Sequence, residues 1–526
     1  MSVSNNSDTA INSKDKLLLA IDCGTQSVRA LVFDRNGNLL AKSQVALDNY
    51  FSDNPGWIEQ HGHFFWDSLC RVCQKLWQQK VISPSSICGV SVTTQRATVL
   101  YVDQKGEPLR PAITWMDQRR ATIVPTLPLY WRLVFKVAGV SDTVNEFMQD
   151  AEINWMRQHQ PDVLSRAHKC LLLSGYFHFH LSGEFKDSIG AQVGYLPFDY
   201  KKQRWANINS WKSKACPIPK DLLPELVTVG ETLGKVTKSA AQQTGLPEGL
   251  PIVASAADKA CETLGCGLLN ESVGQVSYGT TATFNVVTKK YREPMRYLPP
   301  YPSAIPAHYT CEYQIHRGFW MVSWFKDQFA HQESSEAALR ELSTETLLDQ
   351  QAANIDPGAN GLMLQPYWSP GVRYPGPEAR GAIIGFTDAH TKAHIYRALL
   401  EGIAFGLRHG KEKMERRNRL AIQQIFVSGG GSQSSTALQI TADIFNLPVI
   451  RPKTFETSGL GAAINIAVNQ QLFPNYASAI ESMCHFEQPI MPKQENVKLY
   501  DSMYHGVYRK LYRRLAPLYK IMHKLF

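Results

Sequence analysis

Five residues in one short stretch have the chemistry to hold a phosphate group and its magnesium ion. Asp22 ends an apolar run, Gly24, Thr25 and Ser27 follow it, and Arg29 heads a second apolar run. A glycine lets backbone N–H groups approach an anion, hydroxyls donate hydrogen bonds, and a carboxylate is a hard oxygen ligand for Mg²⁺. The apolar runs predict a β-hairpin with this polar tip. The alternative is an ordinary hairpin with a polar turn.

A second stretch in the other half of the chain repeats this arrangement. Gly279 and Thr280 separate two apolar runs, and further hydroxyls follow at Thr281 and Thr283. Two such hairpins suggest two related domains that face one nucleotide, each contributing a Gly-Thr loop to the phosphates. Chance similarity between two hairpins is the alternative.

Three consecutive glycines, Gly429, Gly430 and Gly431, stand between a predicted strand and a predicted helix, with Ser434 just beyond them. Such a turn leaves backbone N–H groups available at the helix start and lets a flat base or a phosphate lie against the main chain. The spacing is not that of a Rossmann dinucleotide site, and the Gly-Lys-Ser/Thr of a P-loop is lacking. Because Gly-rich turns are common, this motif indicates a nucleotide site only when it is taken together with the two hairpins.

A carboxylate that could act as a general base follows a predicted strand over residues 250–255. Asp258 stands at the mouth of this strand, and small residues after it open a helix. General bases are often placed at such a position. The alternative is that Asp258 only caps the helix.

Two pairs of residues in the first half of the chain could bind a small-molecule substrate. Gln95 and Arg96 follow a predicted strand and have hydroxyls on both sides, which resembles the edge of a site more than a surface turn. Trp115 and Asp117 bring an aromatic ring and a carboxylate to the same neighbourhood. The indole of Trp115 offers an apolar face to C–H groups.

Hydrophobic periodicity predicts the elements that must position these residues. We expect a third strand at 39–47, a helix over 62–79, strands over 87–92 and 99–103, a mainly helical segment over 128–209 with a helix at 168–179, and a Gly/Ala-rich helix near 456–463 that packs closely on a neighbour. Near the C-terminus, Tyr500, Tyr504, Tyr508 and Tyr512 recur every four residues between Arg and Lys, which predicts an amphipathic basic helix. This helix packs against the body or, alternatively, on an acidic membrane or partner surface.

Length and composition bound the class of protein. The chain has 526 residues, 44% of them hydrophobic and 19% charged, so we expect at least two domains with substantial cores. The net charge of +9 is concentrated from residue 493 to the C-terminus, where eight Lys or Arg face two acids, so the body is close to neutral and no nucleic-acid partner is expected. No apolar run is long enough to span a bilayer.

The N-terminus and the cysteines suggest where the protein works. Residues 1–16 are polar and predict a disordered leader without the apolar core of a signal peptide. Among the ten cysteines only Cys70 and Cys73 form a C-x-x-C pair, in an amphipathic run that favours core packing over redox or metal chemistry. Reduced cysteines and a polar leader predict a cytoplasmic protein.

Together these motifs resemble the FGGY family of carbohydrate kinases over roughly residues 17–490. The resemblance implies an α/β fold of two actin-like (ribonuclease H-like) domains, as in the actin/hexokinase/Hsp70 architecture, around a nucleotide cleft. The expected ATP- and phosphate-binding residues are Asp22, Gly24, Thr25, Gln26, Ser27, Arg29, Gly279, Thr280, Gly318, Gly429, Gly430, Gly431 and Ser434. Asp258 falls where the family places its base, and Trp115 to Arg119 resembles the family's Trp-x-Asp-x-Arg segment of sugar-site residues.

The resemblance implies ATP-dependent phosphorylation of a hydroxyl on a small sugar or polyol, with a pentulose such as xylulose favoured. Asp258 is the expected base, Asp22 and Asp258 are the expected Mg²⁺ ligands, and Gln95, Arg96, Trp115, Asp117 and Asp258 are the expected substrate residues. The expected domains are 17–267 and 268–490, followed by the basic helix at 491–526, and a homodimer is possible since dimers are common in the family.

The sequence departs from the family pattern at positions that select the substrate. Glycerol kinases typically have Asn-Gln-Arg-Glu where this chain has Thr94-Gln95-Arg96-Ala97, and xylulokinases typically have Gln-Met-His-Gly there. Lys259 stands where many members have Asn or Gln. A glycerol or other polyol kinase therefore stays open as an alternative. A non-catalytic nucleotide-binding regulator on the same fold is the alternative from another class, although it would not need a second polar pocket.

Overall fold

The computed structural model describes residues 16–525 apart from 49, 370 and 372–374. The predicted leader therefore lies outside the described residues except for its last position. In the first half of the chain the strands are β1 (Leu17–Cys23), β2 (Ser27–Phe33), β3 (Leu39–Ala46), β4 (Glu59–Gln60), β5 (Ile87–Thr94), β6 (Val99–Val102), β7 (Ala112–Ile113), β8 (Lys169–Leu172), β9 (Lys186–Ser188), β10 (Phe198–Asp199), β11 (Arg204–Trp205), β12 (Glu225–Val227), β13 (Thr232–Lys235) and β14 (Pro251–Val253). The helices there are α1 (Gly62–Gln78), α2 (Leu129–Ala138), α3 (Ser141–Asp150), α4 (Glu152–His159), α5 (Pro161–Arg166), α6 (Leu173–Ser182), α7 (Trp211–Ala215), α8 (Lys238–Thr244) and α9 (Asp258–Gly265).

The second half of the chain is built from longer helices. Its strands are β15 (Val273–Tyr278), β16 (Ala282–Thr288), β17 (Tyr301–Pro302), β18 (Tyr309–Ile315), β19 (Met363–Gln365), β20 (Ala382–Ile384), β21 (Gln424–Ser428) and β22 (Val449–Ile450). Its helices are α10 (Trp320–Phe329), α11 (His331–Leu339), α12 (Thr344–Ala353), α13 (Lys392–Asn418), α14 (Ser435–Phe445), α15 (Thr457–Asn469), α16 (Tyr476–Met483), α17 (Gln494–Met503) and α18 (Arg509–Leu525).

Two six-stranded sheets share the order and direction of five strands, and the sixth strand lies at opposite ends of the two sheets. The first has the order β13-β14-β5-β1-β2-β3 and the second has the order β17-β18-β16-β15-β21-β22. In each sheet a three-stranded antiparallel meander, β1-β2-β3 or β15-β16-β18, is followed by two strands parallel to its first strand. The two Gly-Thr turns therefore occupy equivalent places, between the first and second strands of each meander.

The central strands are buried on both faces, which explains their continuous apolar runs. Every residue of β1 is buried, and α1 packs its apolar face, with Phe65, Leu69, Val72 and Leu76, against the same core. Cys70 and Cys73 are buried free thiols on α1, so the prediction of core packing is confirmed.

The helical segment after residue 128 differs in one place from the sequence prediction. Residues 168–179 were expected to form one helix, but Lys169–Leu172 forms β8, which pairs antiparallel with β6 before α6 begins. A short apolar run fits either a strand or a buried helix, and the free edge of β6 decides in favour of the strand.

Helix α15 leaves the second sheet and packs against α9 and the first sheet. The predicted close packing is confirmed: a Cβ on Gly461 would lie 2.0 Å from the Cys261 carbonyl oxygen, and one on Gly265 would lie 1.9 Å from that of Thr457. The core formed by α15 and α9 includes Leu18 of β1. A segment from the second half of the chain thus stabilises the helix that begins with Asp258.

The C-terminal tyrosines face the protein body. Tyr500, Tyr504, Tyr508 and Tyr512 are all buried, so the prediction that this helical segment packs against the body is confirmed for its tyrosine stripe. Within the described part of the chain, no helix combines the length and apolar character needed to cross a membrane.

Candidate active site

The turn after β1 is held rigidly at several points. The Gly24 N–H donates to the Ser27 carbonyl at 3.0 Å and closes the turn. The Tyr50 hydroxyl donates to the Thr25 carbonyl at 2.7 Å, and the Trp115 indole N–H donates to the Thr25 hydroxyl at 3.0 Å. A tip braced in this way is preorganised for a ligand.

Asp22 is a buried carboxylate just before this turn, and its charge is only partly compensated. Burial raises the pKa of Asp22 to about 7, although the nearby Arg29 guanidinium, 3.6 Å away, acts to lower it. Arg29 also donates to Glu456 at 3.1 Å, and Glu456 is paired with Lys42 as well. A carboxylate in this state would gain from a bound cation.

Asp258 is the first residue of α9 and faces a partly exposed region. The N-cap position is Ala257, and no side chain caps the helix, so the alternative that Asp258 serves as the N-cap is wrong. Its Oδ1 accepts the Lys259 backbone N–H at 2.7 Å and lies 3.8 Å from Arg96 Nε. Burial raises the pKa of Asp258, while the charges of Arg96 and Lys259 act to lower it. A carboxylate with a raised pKa is a stronger base than a solvated one.

Arg96 joins the two halves of the chain beside Asp258. Its guanidinium donates two hydrogen bonds to Glu312 of β18, at 3.1 and 2.6 Å, and stacks over the Tyr301 ring at 5.3 Å. Gln95 is buried next to it, and its side-chain amide interacts with the Tyr50 hydroxyl. A buried amide beside the Arg96–Glu312 ion pair offers both a donor and an acceptor, which suits a polyhydroxy ligand.

Trp115 and Asp117 have different hydrogen-bond partners. Trp115 is 43% exposed and contacts the first Gly-Thr turn. Both carboxylate oxygens of Asp117 are engaged by Arg119, at 2.8 and 2.7 Å, and Oδ2 also accepts the Ile58 N–H. Arg119 in turn lies over the Trp57 ring at 4.1 Å. Asp117 therefore supports the loop that carries Trp115, and its predicted contact with the substrate stays a prediction.

The second Gly-Thr turn is packed against the segment that precedes α10. The Phe319 N–H donates to the Gly279 carbonyl at 3.0 Å, and the Trp320 N–H donates to that of Thr280 at 3.4 Å. A Cβ on Gly318 would lie 2.2 Å from the Ala282 nitrogen, so only glycine fits there. Gly318 thus shapes the turn through close backbone packing.

The glycine segment between β21 and α14 lies next to this turn. Gly429 has a φ of +81°, which favours glycine, and a Cβ on Gly431 would lie 2.2 Å from the Phe319 ring. Gly430 faces open space, and Ser434 caps α14 by accepting the Ala437 N–H at 3.0 Å. The ring of Phe319 therefore joins the second turn to the glycine segment.

A buried polar network that sequence reasoning missed connects α9 to the second sheet. Glu262 accepts hydrogen bonds from Ser277 and Ser428, each at 2.7 Å, and from the Lys259 ammonium at 2.8 Å. The i, i+3 spacing of Lys259 and Glu262 on a helix was the available signal. Glu312, the partner of Arg96, lies on a distant strand and gave no local signal.

Matches to known proteins agree with this arrangement. The N-terminal domain model of the FGGY family of carbohydrate kinases matches residues 17–265, and the C-terminal domain model matches residues 274–469. The chain belongs to the FGGY family of carbohydrate kinases. The prediction of an ATP-dependent carbohydrate kinase is thereby confirmed for this FGGY protein at the level of the family.

Individual relatives span nearly the whole FGGY chain. An uncharacterised sugar kinase, YgcE, of Escherichia coli (strain K12) is 31% identical over 97% of this chain and 96% of its own length. A xylulose kinase of Lactococcus lactis subsp. lactis (strain IL1403) is 28% identical over 95% and 97%, and glycerol kinases also occur among the relatives. The crystal structure of xylulose kinase from Rhodospirillum rubrum has a TM-score of 0.80 at 24% identity and covers 96% of this chain and 100% of that one. The predicted two-domain fold is confirmed.

Proposed function

We propose that this FGGY kinase transfers the γ-phosphoryl group of ATP to a hydroxyl of a small sugar or polyol, with a pentulose such as xylulose favoured. The observation that carries the proposal is the place of Asp258, between Arg96 on one side and Lys259 on the other. Arg96 and Gln95 form the side where an acceptor would bind, and Lys259 lies against the second Gly-Thr turn. The relative named xylulose kinase supports the choice of acceptor.

In this proposal Asp258 accepts the hydroxyl proton as the acceptor oxygen attacks the γ-phosphorus. A bond forms between that oxygen and phosphorus, and the bond to the ADP oxygen breaks. Phosphoryl transfer asks the protein mostly for positioning and charge neutralisation. The two Gly-Thr turns supply backbone and hydroxyl donors for the phosphates, and the glycine segment at 429–431 is the proposed adenosine side.

Mg²⁺ fits the proposed site as an ion held by few protein ligands. Among the described residues no three His, Cys, Asp or Glu side chains group into a protein cage for a metal. Mg²⁺ bound to a nucleotide uses one or two carboxylates together with phosphate oxygens. Asp22, with its raised pKa, would hold it, and Asp258 is the second proposed ligand. When bound, the ion neutralises charge on the phosphates.

Residues that differ from those of other family members leave the identity of the acceptor to be tested. Ala97 follows Arg96 where a glycerol kinase would typically have a glutamate, which speaks against glycerol, although another polyol stays in the proposal as the alternative. We also propose that the protein is cytoplasmic, because all ten cysteines are free. A homodimer stays a prediction.

The experiment is a screen of pentuloses, hexuloses, polyols and glycerol with ATP and Mg²⁺, read as ADP release and as phosphorylated product. We expect transfer to at least one acceptor, with a pentulose the best substrate. ADP release that never exceeds the acceptor-free background would overturn the kinase proposal and favour the nucleotide-binding regulator.

A further inference from the structure

Lys259 holds an ammonium group at the junction of the two halves of the chain. Its Nζ donates to Glu262 at 2.8 Å and to the Ser277 hydroxyl of β15 at 2.7 Å. A Cβ on Gly279 would lie 3.6 Å from the same nitrogen. The ammonium therefore lies against the second Gly-Thr turn, one residue along the chain from Asp258.

The ammonium has capacity left for a ligand. A lysine carries three N–H donors, and the structure records two hydrogen bonds from Nζ, both within the described residues. The side chain is 23% exposed, so the remaining donor can reach a molecule in the cleft. A lysine with only a structural role would be expected to use its donors within the protein.

The surroundings keep both Lys259 and Glu262 charged. The Glu262 carboxylate lies 2.8 Å from Lys259 Nζ and compensates the charge of the ammonium. Burial acts to raise the pKa of Glu262, but the Lys259 charge and the hydrogen bonds from Lys259, Ser277 and Ser428 lower it. Glu262 thus holds the charged Lys259 ammonium in place. Helix α9, which carries both residues, is itself held against α15 by the close approach of Gly461 to Cys261.

We propose that the Lys259 ammonium binds the phosphoryl group during transfer and neutralises the charge that develops on its oxygens, while Glu262 and Ser277 hold it in position. This proposal rests on the proposed function, since it takes the turn at Gly279 to hold the phosphates. Preorganised donors aimed at developing charge are a large source of rate enhancement, and the loss of one donor costs on the order of 10²–10³-fold in kcat. The bond changes are those of the transfer step itself, because Lys259 makes no covalent bond.

The test compares Lys259→Gln and Lys259→Arg with the wild-type chain, using the best acceptor from the screen. We expect Lys259→Gln to lower kcat by roughly 100-fold or more, while the Kd for MgADP changes by less than about threefold because the donor acts on the transferred group. Binding of MgADP with aluminium fluoride, a mimic of the transferring phosphoryl group, should weaken in parallel with kcat. Lys259→Arg, which keeps the charge, should recover most of the loss.

Lys326→Gln is the matched control, since Lys326 is also a partly exposed lysine paired with a glutamate, Glu345, at 2.7 Å. It should leave kcat and aluminium fluoride binding unchanged. A Lys259→Gln variant with near-normal kcat and aluminium fluoride binding would overturn the proposal. So would a variant whose Tm and MgADP affinity fall along with kcat and are not recovered by arginine, because that pattern marks a structural tie. If the wild-type chain transfers phosphate to no acceptor, the proposed function fails and this inference fails with it.

Discussion

The two Gly-Thr hairpins have the same backbone plan but opposite electrostatic character. Two residues before the glycine, the first hairpin carries Asp22, which lies opposite Arg29 on the neighbouring strand. The second hairpin carries Ser277 at the equivalent place, opposite Thr283, and Ser277 is bound to Lys259. The first turn thus presents a carboxylate to the cleft, and the second is accompanied by an ammonium.

This difference shows how a duplicated fold can divide one task. Both turns can offer backbone N–H groups to phosphates, because that ability belongs to the strand-turn-strand geometry. The side chain next to each turn decides what else it binds. Asp22 suits a cation, whereas the ammonium beside Ser277 suits an anion.

Among substitutions at the two hairpins, removal of the Asp22 charge should have the largest effect on turnover. Asp22→Asn keeps the size of the side chain but takes away a proposed metal ligand, so we expect turnover at low Mg²⁺ to fall by roughly 100-fold. Acceptor binding, measured by calorimetry, should stay largely intact. If the Mg²⁺ dependence of turnover is unchanged or acceptor binding is lost, the division of labour between the hairpins is wrong.

The pH dependence of Mg²⁺ binding sharpens the role of Asp22. Its pKa is about 7 in the folded protein, above the ordinary 3.8. A metal must then displace a proton below pH 7, so the apparent Mg²⁺ affinity should fall by up to about tenfold per pH unit as the pH drops. Without bound metal, the pH dependence of folding stability has the opposite sign. Ionising Asp22 costs more free energy in the folded state than in the unfolded state, so the contribution of Asp22 to the free energy of unfolding falls as the pH rises from about 4 to 7.

Titration of Mg²⁺ against MgATP turnover between pH 6 and 8 checks this expectation. The Asp22→Asn variant is the control, because it keeps the pH dependence due to ATP and Asp258 and lacks only that of Asp22. A wild-type profile no steeper than that of the variant would remove Asp22 from the metal site.

Substitution of Ser277, which occupies the place of Asp22 in the second hairpin, should have the smallest effect on turnover. Ser277→Ala removes one hydrogen bond to Lys259 and one to Glu262 but no charge. Only the bond to Lys259 positions the proposed donor, and loss of one buried hydrogen bond costs about 1 kcal/mol, so kcat should fall about fivefold, with Mg²⁺ dependence unchanged. A shift in Mg²⁺ dependence as large as that of Asp22→Asn would mean that the hairpins do not differ in function.

Local pattern was enough to predict the two hairpins, because each lies within one continuous stretch of sequence. It failed where a distant partner decides the outcome. Lys169–Leu172 is a strand because β6 has an edge for it to pair with. No local feature could reveal that Glu312 would bind Arg96, since the two are 216 residues apart.

The site residues show the same limit. The substrate role of Asp117 stays a prediction, and nothing in the sequence indicated that Arg119, two residues along the chain, binds both of its carboxylate oxygens. In the sequence, Lys259 stands out only as a departure from the family pattern. Its significance came from the fold, which brings the Gly279 turn to within contact of its ammonium.

Replacement of Asp258 by asparagine tests the central claim most directly. The change keeps the size and most hydrogen bonds of the side chain but removes the proposed base. With the best acceptor and saturating MgATP, we expect kcat to fall by about 10²–10⁴-fold, while the Kd for ADP measured without Mg²⁺ stays within about threefold of the wild-type value. Near-normal transfer by Asp258→Asn, or a parallel loss of transfer and nucleotide binding, would contradict the assignment of Asp258 as the base.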